Sequence, residues 1–165
     1  MKTLFLFLLL CAPAFARIGE TRAQCEARYG PPVEVRNEGE ITVHQKDGFA
    51  VRCTYFEGKC EAIVFSKAPA NPAEGNLPLS DAEHKTLMDA NSGGKTWVKL
   101  RENAEHHFTV WRCEGMRAWH DGKNHQMEIF TDAHGAREDA KLAAKRAADK
   151  AAKDKADGKG SLKNF

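Results

Sequence analysis

An α+β fold of two tandem modules, each a short helix followed by an antiparallel β-meander, is predicted from three observations. A capping box occurs twice, at Thr21-Arg22-Ala23-Gln24 and at Ser80-Asp81-Ala82-Glu83. Each is followed by short alternating segments broken by acidic-Gly turns, the signature of hairpins. Thr21 to Glu57-Gly58 spans 36 residues and Ser80 to Glu114-Gly115 spans 34, a near-equality that reads as a repeat.

Residues 1–16 read as an export signal rather than structure. Lys2 supplies a positive start, Thr3 to Leu10 is nearly all Leu and Phe, and Ala14-Phe15-Ala16 offers a small-x-small site. Cleavage is expected between Ala16 and Arg17, giving a secreted or periplasmic protein. The apolar run is far below the ~20 residues of a transmembrane helix, so no transmembrane span is expected.

The first module, residues 17–67, begins with a helix from Thr21 that stops at Gly30, where Pro31-Pro32 forbid continuation. Strands are expected over 40–46, 49–56 and 60–65, with turns at Asp47-Gly48 and Glu57-Gly58. Two-residue turns would place Phe49, Val51, Cys53, Tyr55, Cys60, Ala62 and Val64 on the face covered by the helix. A linker over 68–79 is rich in Pro and Asn. The second module, 80–136, repeats the helix up to Asn91-Ser92-Gly93-Gly94. Strands then follow over 96–100, 106–113, 116–120 and 125–131. A two-residue Glu114-Gly115 turn would align Trp111, Cys113, Met116, Ala118 and His120 on one face. Val110, Arg112, Arg117 and Trp119 would share the other.

Residues 137–165 hold nine Lys/Arg against five Asp/Glu, whereas 17–136 holds 15 against 18. Alanines from Ala140 to Ala152 recur at helical spacing. The expected element is a basic Ala/Lys-rich helix or disordered tail. It is a solvated segment or an electrostatic tether to an anionic surface; few large apolar side chains accompany it, which disfavours deep membrane insertion.

Charge balance limits the possible partners. The chain has 25 Lys+Arg and 23 Asp+Glu, a net charge of +2, so no specific nucleic-acid partner is expected. Export implies oxidation, and Cys25, Cys53, Cys60 and Cys113 remain after cleavage. Two disulfides are therefore expected, with a helix-to-sheet bridge from Cys25 preferred and the pairing open among three possibilities.

The arrangement resembles the β-lactamase inhibitory proteins, with their tandem helix-plus-meander modules. It is also similar to outer-membrane assembly lipoproteins of the SmpA/OmlA kind. The residues that carry the resemblance are Gly19-Glu20-Thr21 through Tyr29-Gly30-Pro31-Pro32, Asp47-Gly48 and Glu57-Gly58-Lys59. It implies binding to another exported or envelope protein rather than catalysis. Arg112, Arg117 and Trp119 are the expected contact residues, because Arg and Trp are enriched at binding hot spots. His107, His120 and His125 form the alternative, a His-liganded metal site or metalloenzyme, if they converge at one end of the sheet. No Gly-x-Ser-x-Gly elbow, phosphate loop or His-Glu-x-x-His motif occurs, so neither an enzyme nor a cofactor is expected.

Overall fold

The computed structural model describes residues 18–71 and 74–156. The expected signal segment and residues 157–165 of the tail lie outside the described residues. Among the described residues the fold is α+β: three α-helices and one eight-stranded sheet, antiparallel throughout.

Helix α1 (Arg22–Tyr29) is followed by β1 (Glu34–Arg36), β2 (Ile41–Lys46), β3 (Phe49–Phe56) and β4 (Lys59–Lys67). Helix α2 (Asp81–Asn91) is followed by β5 (Val98–Asn103), β6 (Phe108–Cys113), β7 (Met116–Asp121) and β8 (Gln126–Thr131). Helix α3 (Asp132–Ala156) ends the described chain. Strand order is β1-β2-β3-β4-β8-β7-β6-β5, so the two meanders join through their last strands.

Both capping boxes form. Thr21 Oγ1 accepts from the Gln24 amide while Gln24 Oε1 accepts from the Thr21 amide, and Ser80 with Glu83 does the same. These bonds satisfy amides that a helix start leaves without partners. Glu83 also meets Lys67 Nζ at 2.8 Å, tying α2 to the end of β4. Lys67 first, then the Ser80 amide and hydroxyl, hold the Glu83 carboxyl down at about 2.

Helices α1 and α2 lie on one face of the sheet and enclose the core. Cys25 and Tyr29 from α1, and Leu87 and Met88 from α2, pack with Val51, Cys53, Tyr55, Ile63, Phe65, Met127 and Ile129. Trp97, partly buried, donates from Nε1 to the Met88 carbonyl. Helix α3 starts on the opposite, outer face.

The register of the second meander is that of a two-residue turn at Glu114-Gly115: Cys113 faces Met116, Arg112 faces Arg117 and Trp111 faces Ala118. In the first meander one residue changes the pattern. Tyr55 faces Cys60 but Thr54 faces Ala62, so Glu61 is an extra residue in a β-bulge. From that point Ile63 and Phe65 point into the core. Ala62 and Val64, expected there, occupy the outer face beside α3. They are still buried, at 2% and 7% exposure.

Two other expectations need correction. Glu57-Gly58 joins β3 to β4, whereas Glu114-Gly115 joins β6 to β7, so the matched spacing compared turns that are not equivalent. The helix of the tail begins at Asp132, five residues before the compositional change at 137. Thr131 Oγ1 accepts from the His134 amide there and caps it.

Candidate functional site

Three regions gather the chemistry-bearing residues: the outer sheet face, the thiols beneath α1, and a histidine-lined cleft beside α2.

On the outer face, Arg112, Arg117 and Trp119 stand together as the alternation requires. Their surroundings differ from the expected open sheet. Asp132, the first residue of α3, meets Arg117 Nε at 3.1 Å and Arg112 Nη2 at 3.6 Å. Arg117 also stacks over the Phe130 ring, 5.4 Å from its centroid. A Cβ built on Gly135 would come within 2.9 Å of that ring, so the helix backbone reaches the sheet here. Arg117 is thus an anchor for α3, while Arg112 keeps 61% of its side chain exposed. Trp119 is 44% exposed. It sits in a row running Arg101, Val110, Trp119, Glu128, Val64. A cleft of about 220 Å³ separates this row from α3, lined by Trp119, Arg117, Glu128, His134 and Glu138 among others. Burial pushes the Glu128 carboxyl up and His134 down.

Beneath α1, the Sγ atoms of Cys25, Cys53 and Cys60 all lie within 4.8 Å of one another. Each is completely buried. Cys25 comes from the helix, Cys53 from β3, and Cys60 from the start of β4, one residue before the bulge. Cys113 is not among them. It lies three strand spacings from β4, roughly 14 Å, with its Sγ 3.9 Å from the Ser92 carbonyl. The expected two disulfides are therefore not formed: all four cysteines are free thiols. Cys113 is too distant to bridge to the others without moving the backbone.

A buried hydrogen-bond chain lies beside these thiols. The Tyr55 hydroxyl lies 3.1 Å from Thr42 Oγ1, which lies 2.8 Å from His44 Nε2. His44 Nδ1 lies 2.8 Å from the Gly30 carbonyl, which only accepts, so Nδ1 carries a hydrogen. The Thr42–Tyr55 bond can run in either direction. Hydrogen bonds from Cys53 and then Cys60 hold Cys25 well below the ordinary thiol range, against the effect of burial, with Tyr55 and His44 adding to the shift. Cys53 is correspondingly pushed up to about 12, and Cys60 is raised as well. The cluster thus favours a single thiolate.

The expected trio of His107, His120 and His125 does not converge. Gln126, not His125, follows the β7–β8 turn opposite Asp121, and His120 faces Met127. Among the described residues only the three thiols bring three such ligand atoms within 4.8 Å. His120 instead meets His84 from α2, ring centroids 4.1 Å apart. Both line a cleft of about 530 Å³ with His107, Asp81, Glu102 and Trp111. His84 Nε2 is buried without a hydrogen-bond partner. Burial lowers the pKa of both rings. His84 had a sequence signal: it shares the α2 stripe with Leu87, Met88 and Asn91, at the spacing of one helical face.

No family model and no curated protein matches the chain. Among solved structures, it is similar to an extracellular protein containing an SCP domain from Bacillus anthracis. The two are 10% identical with a TM-score of 0.40, over 79% of this chain and 49% of the other. The chain thus spans about half the length of that neighbour, and the likeness carries no inference about function.

Proposed function

We propose that this is an exported, non-enzymatic protein that binds another exported or envelope protein on the outer face of its sheet. In this reading two helix-plus-meander modules, released by cleavage between Ala16 and Arg17, form the scaffold and the basic helix is an appendage. The observation that carries it is Trp119, a large aromatic 44% exposed in a sheet interior rather than at a rim. Val98 and Leu100 on the edge strand, 58% and 56% exposed, extend the apolar surface toward β5. Arg112 supplies an exposed cation at its border, already oriented by Asp132. A partner with apolar side chains for Trp119 and a carboxylate for Arg112 fits this surface.

A photo-crosslinking side chain at position 119 is expected to trap one discrete partner on the exported protein in its own host. Trp119→Ala and Arg112→Glu should each weaken retention of that partner by at least tenfold while the circular dichroism spectrum is unchanged. Undiminished retention by both variants would refute the surface. The exposure of nearly all of α3 beyond Lys141 supports a separate role for the tail as an electrostatic tether. Binding to acidic vesicles that is abolished by salt and by removal of residues 143–165 is its signature.

A further inference from the structure

The proposed binding face leaves unused the one place among the described residues where three ligand atoms meet. We infer that Cys25, Cys53 and Cys60 form a buried three-sulfur site for a soft metal ion of the Cu(I) class.

The geometry nearly fits already. With metal–sulfur bonds of about 2.3 Å, a planar three-coordinate ion requires sulfurs about 4 Å apart. The three Sγ atoms lie within 4.8 Å of one another before any ion is bound, so closing around one takes shifts well under 1 Å. Sulfur ligands select soft ions, and complete burial excludes the waters that hard ions retain.

The surroundings favour three ligands over four. The nearest oxygen donor with a charge is Glu20, whose Oε2 is 3.9 Å from Cys25 Sγ. That carboxylate is already held by the Arg28 guanidinium through both oxygens. A tetrahedral zinc site would have to break that pair. Tyr55 packs in the same buried cluster as the three thiols and is itself held by Thr42 Oγ1 at 3.1 Å. Cys60, on the core face by the register of the Glu57-Gly58 turn, has its Sγ 3.6 Å from the Ala62 carbonyl just past the bulge.

Binding is a ligand exchange. S–Cu bonds form, each thiol that coordinates as a thiolate releases its proton, and copper remains Cu(I) throughout. The ion enters when α1 lifts. That helix has eight residues, too few to persist without the sheet, and its opening is the low-cost motion of this region.

The test is a titration of the reduced full chain with Cu(I) under anaerobic conditions, in competition with a chromogenic Cu(I) chelator. One equivalent per chain is expected, confirmed by native mass spectrometry of the folded protein and by a sulfur-only, three-coordinate copper absorption-edge spectrum. Cys25→Ser and Cys60→Ser should each weaken uptake at least a hundredfold, while Cys113→Ser leaves it unchanged. If a serine variant fails to fold, the wild-type stoichiometry and spectrum decide alone. No stoichiometric uptake by folded reduced wild type overturns the site. So does equal loss in Cys113→Ser, or tighter binding of Zn(II) that depends on Glu20. A disulfide among the three in material secreted without reductant, together with no copper on the reduced form, overturns it too. Loss of partner retention at Trp119 leaves this site untouched, so the two proposals fail separately.

Discussion

His84 and His120 pack ring against ring inside a cleft, and that contact makes stability depend on pH. Burial first, and then mutual repulsion at His120, lower both pKa values; Asp81, Glu83 and Asp121 oppose the shift and His125 adds to it. A lowered histidine pKa means that the unfolded chain takes up protons more readily. Its contribution to stability is complete above about pH 6.5 and is lost as pH falls through the folded values. The melting temperature should therefore drop between pH 7 and pH 5, and His120→Gln should flatten the drop. An identical slope in the variant would sink this assignment. Gly122 makes a second point at this scale. A Cβ there would meet the His107 carbonyl oxygen at 2.7 Å, where the Gly122 amide already bonds. Gly122→Ala should cost about 1–3 kcal/mol in urea unfolding, since backbone cannot move aside as a side chain can.

Helix starts and hairpin turns were legible in the sequence because each is written in two to four contiguous residues. The capping boxes, the Asp47-Gly48 turn and the Cys113–Met116 register all have such local causes. The bulge at Glu61 does not. One added residue leaves Ala62, Ile63, Val64 and Phe65 an unbroken apolar run, in which alternation gives no phase. The three-residue strand β1 is too short for alternation to register. Thiol clustering was half legible: strand register places Cys53 near Cys60, but the separation of Cys113 follows from strand order, which no local signal records. Ser80→Ala should cost about 1 kcal/mol by urea unfolding. Thr21→Ala should cost a similar amount and has a second readout. With α1 loosened, Cys25 should react faster with a thiol reagent while Cys113 keeps its rate. Equal rates in wild type and variant would show that α1 does not guard the thiols.

At the scale of the whole molecule, α3 divides into an anchored start and a free remainder. Asp132, Gly135 and Arg137 bind it to the outer face: Arg137 pairs with Glu61 and stacks 3.9 Å from the Phe56 ring centroid. From Lys141 to Ala156 every residue but Asp154 is exposed. Removing residues 143–165 should leave stability within about 0.5 kcal/mol, whereas ending the chain before Asp132 should lower it by several times that amount. A large loss from the shorter deletion would mean that the distal helix packs somewhere on the body.

The joint between β4 and β8 pairs residues such as Val64 and Glu128, which are 64 positions apart along the chain. Each meander can zip up from neighbouring hairpins, but this pairing must close a long loop and so sets the pace of folding. Until it closes, two raw edges are exposed, and a sister polypeptide offers the same complementary edge as the chain's own second half. At high concentration during refolding, exchange of halves between copies is the expected side reaction, read as a dimer by size-exclusion chromatography that is absent when refolding is dilute.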